Sequence, residues 1–162
     1  MKKTLLILLS LGLVSCDQQT DNTKELQDQI NSLEIKLANT YKPGFGDFMG
    51  SIQAHHAKLW FAGQNENWDL ADFEVHEIME AIEDIEEFHK GRKETELMGI
   101  IMPPLDSISK AIDQKNAALF NNSYTSLTNA CNECHRAVEM EFIFIKTPDT
   151  PPSSNQGFEP IK

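Results

Sequence analysis

Two cysteines and a histidine constrain this chain more than any other feature. They stand together as Cys131-Asn132-Glu133-Cys134-His135. On a helix, residues three and four apart share a face, so both thiols and the imidazole point the same way. That arrangement matches three chemistries: a redox dithiol, half of a zinc site, or covalent attachment of a tetrapyrrole. A redox dithiol of this type belongs to a βαβ unit, and the chain shows no strand periodicity. A zinc site needs further ligands at matching spacing, and no second C-x-x-C and no H-x-x-x-H exists here. What remains is the C-x-x-C-H signature of haem c. Each thiol adds to one vinyl group, and the histidine presents a ring nitrogen to the iron. One covalent haem is therefore the expected cofactor, with Cys131 and Cys134 as thioethers and His135 as axial iron ligand.

The other end of the chain agrees with that chemistry. Lys2 and Lys3 precede an apolar run, residues 5–14, too short to span a bilayer as a mature helix. The run ends Leu13-Val14-Ser15-Cys16. This resembles the lipobox of bacterial lipoproteins, in which the cysteine is acylated and becomes the new N-terminus. An ordinary secretory signal with a chance cysteine is the alternative. Either predicts a protein outside the cytoplasm, where bacteria attach haem c. All three cysteines then have a use: Cys16 for lipid, Cys131 and Cys134 for haem. No disulfide is needed in a compartment that would permit one.

The formal charge is −11. Losing Lys2 and Lys3 with the leader takes 14 basic residues to 12 against 25 acidic, a mature charge of −13. Nucleic acid is a poor partner for such a surface, whereas a basic redox protein is a suitable one. A merely soluble surface is the plainer reading of the same charge.

The 162 residues suffice for one domain with a single core. Residues 16–23 are polar and read as a flexible tether. Leu26, Ile30, Leu33 and Leu37 then form an a/d stripe of about two heptads, predicting a short helical stalk that pairs with a second copy or lies on the domain. Residues 16–44 thus make anchor, tether and stalk. Tyr41-Lys42-Pro43-Gly44 ends this part. Four helical patterns follow within residues 45–146. The first, 45–62, turns Phe48, Met49, Ile52, His55 or His56, and Leu59 inward. The second, 68–89, has an apolar stripe from Ala71 to Phe88, with Glu74 and the other acids on the opposite positions. A polar loop covers 90–99. The third runs from Pro103-Pro104 to about residue 115. The fourth is capped by Asn116 and runs to about residue 142, with Phe120, Tyr124, Leu127, Cys131, Cys134 and Val138 on one stripe. The haem site therefore faces the interior, walled by Phe48, Ile52, Leu127 and Val138. Residues 147–162 are Pro-rich and read as an extended tail.

Four antiparallel helices with C-x-x-C-H late in the last one resemble the cytochrome c-prime family, the class II c-type cytochromes. The likeness covers residues 45–146, and its specific part is Cys131-Asn132-Glu133-Cys134-His135. It implies an up-down-up-down four-helix bundle with haem inside. It also implies iron that is either five-coordinate beneath an apolar residue of the first helix or six-coordinate with a methionine from it. Phe45 stands where the family commonly has an arginine, and Glu139 where it commonly has a basic residue.

The distal side can be argued from geometry as well. If the first and last helices run antiparallel, Met49, about one turn into the first, lies level with His135. His55 and His56 lie about 9–10 Å further along at 1.5 Å per residue. Met49 is thus the candidate sixth ligand. An open face lined by Phe48, Met49 and Ile52 is the alternative, and a ligand from His55 or His56 a third. Glu86-x-x-His89 suggests a di-iron bundle, but the second such motif this would need does not occur.

These residues point to a membrane-tethered monohaem cytochrome carrying single electrons on the periplasmic side. The alternative is a haem protein whose open distal face binds nitric oxide or carbon monoxide. A structural lipoprotein with an unused motif is a third class. No general base, nucleophile or substrate cleft is legible, so no enzymatic activity is expected.

Overall fold

The computed structural model describes residues 17–38, 40 and 42–161. The expected leader at residues 1–15 and the expected acylation site Cys16 lie outside the described residues. Every regular element among the described residues is helical, so the protein is all-α, as expected. None of these helices is long and apolar enough to cross a membrane. The chain divides between Lys42 and Pro43 into two compact units.

The first unit holds α1, Asp17–Ala38. The helix starts earlier than the sequence reading has it, and the segment expected to be a flexible tether is its first turns. Glutamine is a good helix former, so the polar composition of this segment does not oppose a helix. Leu26, Ile30, Leu33 and Leu37 are all exposed.

The second unit holds α2 (Phe45–Gln64), α3 (Trp68–Phe88), the single turn α4 (Lys93–Glu96), a 3₁₀ turn (Met98–Ile100), α5 (Met102–Asp113) and α6 (Ala117–Ala137). Polar caps start three of the long helices. Asp47 accepts a hydrogen bond from the Gly44 N–H at 2.8 Å, and the Asn67 and Asn116 side chains accept from the Leu70 and Leu119 N–H groups at 3.3 and 3.0 Å. Prolines open α5. The ends of α2, α5 and α6 share one device. Each is followed by a residue in the left-handed region: Glu66 at φ 53°, Lys115 at 49° and Glu139 at 62°. After each, paired N–H groups reach back to the last turn; behind α6, Met140 N–H donates to His135 O and Glu139 N–H to Arg136 O. That pair of bonds closes a helix.

This corrects the predicted end of the last helix. It stops at Ala137, five residues before the expected 142. The stop is carried by a glutamate rather than a glycine, so composition does not signal it. The predicted loop over 90–99 is also partly ordered helix, and Met98 within it is fully buried.

α2 packs on α3, α3 on α5, α5 on α6, and α2 on α6. Leu59, Ile78, Ile82, Leu105, Ile108 and Phe120 lie between them with almost no exposure. Each such side chain contributes about 1.5–3 kcal/mol relative to remaining in water, so packing rather than helix propensity holds the unit together. α2 meets α6 closely near Gly63, where a Cβ would lie 2.1 Å from the Phe120 ring. Gln64 donates to Asn121 at 2.6 Å beside it. The tail returns to the same end. Phe158 is buried with its ring 5.5 Å from that of Phe61, and Asn67 donates to the carbonyls of Phe158 and Glu159.

Candidate functional site

Cys131, Cys134 and His135 occupy the last two turns of α6. Both thiols are buried and His135 is half-buried. Because the helix stops at Ala137, the following residues can fold back along it. Asn132, between the two cysteines, holds them there. Its Nδ2 donates to Ile145 O at 2.7 Å and to Thr128 O at 3.0 Å, and the Ile145 N–H donates to its Oδ1 at 2.8 Å. Residues 140–145 thereby become a strap across the end of α6.

The strap also fixes the histidine. His135 Nδ1 lies 2.8 Å from Ile143 O. A carbonyl only accepts, so the proton is on Nδ1 and Nε2 keeps a lone pair. A hydrogen bond of this kind sets the ring orientation and the tautomer that a metal-binding histidine needs.

A cavity of about 600 Å³ lies between the first half of α2 and the last turns of α6. Its volume falls within the usual range for cofactor sites. Among the residues singled out from sequence, Met49, Ile52, His56, Cys131, Cys134, His135 and Val138 line it. Phe48 and Leu127, also expected there, are core residues away from the lining. Phe48 stacks on Phe88 at 6.4 Å and meets the His89 ring edge-on at 5.7 Å. Met140, Ile143 and Ile145 of the strap complete one wall. Arg92, Glu94 and Met98 complete another, from the segment read as a polar loop. The apolar Leu97, Met98, Ile100 and Ile101 were the sequence signal that this segment packs inward.

The two neighbouring histidines part company. His56 lines the cavity, but both its nitrogens are occupied. Thr128 Oγ1 donates its own proton to Tyr124 O at 3.0 Å, so His56 Nε2–H donates to Thr128 at 2.9 Å. His56 Nδ1 lies 3.0 Å from the Tyr124 hydroxyl, which also donates to His56 O at 2.9 Å. Burial lowers its pKa to about 4, so the ring is neutral at pH 7. His55 points to α3 instead, and its Nδ1 donates to Glu74 at 2.6 Å. Glu74, placed on the polar side of α3 by periodicity, has a side chain only 1 % exposed, with Lys58 Nζ 4.0 Å away on its other oxygen. A carboxylate can be buried here because the His55 N–H and the Lys58 ammonium both reach it.

Burial, and after it the neighbouring Cys134, pushes the Cys131 thiol up to about 11; burial and then the Glu94 charge push Cys134 up as well. Redox dithiols work through lowered thiol pKa values, so these two are poor candidates for exchange chemistry. No three His, Cys, Asp or Glu side chains among the described residues are grouped to hold a metal. His89 of the Glu86-x-x-His89 pair lies 3.1 Å from Pro43 O, to which its Nε2 donates.

Two thiols, one imidazole with a lone pair free on Nε2, and an apolar wall together fit a tetrapyrrole that supplies the iron's other four nitrogens. No family model, curated protein or solved structure matches this chain.

Proposed function

We propose that this protein is a monohaem c-type cytochrome, lipid-anchored through Cys16 on the periplasmic side, that carries one electron at a time. The observation that carries the reading is His135. It stands beside two buried thiols on the wall of an apolar cavity, with Nδ1 bonded to Ile143 O and Nε2 left to bind iron. Bound haem supplies the one-electron chemistry. Cys131 and Cys134 hold the cofactor, the strap orients His135, and Ile52, Val138 and Ile145 keep water from the iron.

We read α2, α3, α5 and α6 as an up-down-up-down four-helix bundle resembling the cytochrome c-prime family. The pairings of Gln64 with Asn121 and of His56 with Thr128 support antiparallel α2 and α6. The acidic surface suits a basic redox partner and not nucleic acid. The exposed apolar stripe of α1 suits pairing with a second copy as a stalk.

Met49 is the sixth-ligand candidate, since His56 is locked by Thr128 and Tyr124 and His55 faces α3. A methionine–histidine pair favours electron transfer over ligand binding. The second reading, an open face for nitric oxide or carbon monoxide, is kept alive by the purely apolar pair Met49 and Ile52 on that wall. A visible spectrum separates them. We expect low-spin ferrous protein, turning high-spin and carbon-monoxide-binding in Met49→Ala. Ready carbon monoxide binding by the unaltered protein would put the gas-binding reading ahead. A low-spin Met49→Ala with a high-spin Met98→Ala would move the ligand to Met98.

A further inference from the structure

The cavity is lined mainly by hydrocarbon and sulfur, yet it contains one strong cation. Arg92 is the only Lys or Arg among its described lining residues. The guanidinium carbon lies 4.6 Å from the centroid of the Phe45 ring, and Phe45 is itself part of the wall. That ring is braced by His89, edge-on at 5.6 Å, whose Nε2 donates to Pro43 O. On one edge, Arg92 Nη2 donates to Glu94 Oε1 at 2.6 Å. The guanidinium therefore has a face on an aromatic platform and an edge on a carboxylate, which fixes its plane. The arginine side chain is 45 % exposed and that of Glu94 14 %, so the pair marks the rim where the cavity meets water.

We propose that Arg92 is the carboxylate-binding residue of this cavity and anchors one propionate of the porphyrin at its rim. This rests on the haem reading above. A porphyrin joins an apolar macrocycle to two carboxylates on one edge. Seating the macrocycle in the apolar part brings that edge to the rim. A carboxylate drawn from water towards an apolar wall needs a charged donor. A guanidinium has five N–H groups in a fork suited to carboxylate, and Glu94 engages one of them here. With one arginine for two carboxylates, the second propionate stays in water.

The test uses the full chain with Cys131→Ala and Cys134→Ala, so that binding is reversible. The probes are iron mesoporphyrin and its dimethyl ester in the same detergent buffer, followed by absorbance. With Arg92 present, the diacid should bind at least about tenfold more tightly than the diester, the scale of one charged hydrogen bond. Arg92→Gln should collapse that ratio towards one; Arg92→Lys should restore part of it. A diacid-to-diester ratio that is the same with and without Arg92 would overturn the assignment and leave the haem reading standing. Failure of every chain to bind either porphyrin would overturn both.

Discussion

His56 shows how one buried side chain ties stability to pH. Its two nitrogens are used by Tyr124 and Thr128, its ring stacks on Tyr124 at 4.5 Å, and burial holds its pKa near 4 against an ordinary 6.5. The unfolded chain therefore takes up this proton first as pH falls. The stability contribution is complete above pH 6.5 and is lost progressively towards pH 4. The slope from this one group is at most about 1.4 kcal/mol per pH unit. Denaturant unfolding across that window should show the slope in the unaltered protein and a clearly shallower one in His56→Gln. Equal slopes would mean that His56 is solvated. At this scale the sequence is legible where chemistry is unusual: Cys131, Cys134 and His135 declare themselves by spacing. Glu74 and Asn132 do not. Each lies among polar neighbours, and its partners come from other parts of the chain, His55 for one and Ile145 for the other.

Among elements, the strap at residues 140–145 decides how the site is built. It exists because Glu139 takes a left-handed conformation that stops α6, and because Asn132 pairs with the Ile145 backbone on both its donor and acceptor sides. Asn132→Ala removes three side-chain hydrogen bonds and leaves the Ile145 N–H without this partner. A loss of about 2–3 kcal/mol is expected on denaturant unfolding, with faster protease cleavage within 138–146. Unchanged stability and cleavage would show that the strap is held by its apolar contacts instead. The starts of the long helices were legible from prolines and from Asn116. The ends of α2, α3 and α5 were legible to within two residues, but the end of α6 was not, because Glu139 occupies a position that glycine usually marks. The same gap hid the ordered segment carrying Arg92, Glu94 and Met98. Its charged residues suggested solvent, while its fold turns two of them to the cavity.

For the whole molecule, the proposed electron carrier combines an apolar cavity, His135 with its Nδ1 bonded to Ile143 O, and an acidic chain. That proposal depends on covalent haem at Cys131 and Cys134. The direct measurement is the intact mass of full-length protein matured with haem-attachment machinery, read beside a haem stain of the denatured chain. The account predicts a stained band, a mass raised by one haem, no free thiol at either position, and a weakened or lost stain in Cys131→Ala or Cys134→Ala. A colourless chain of unmodified mass with both thiols free would contradict it.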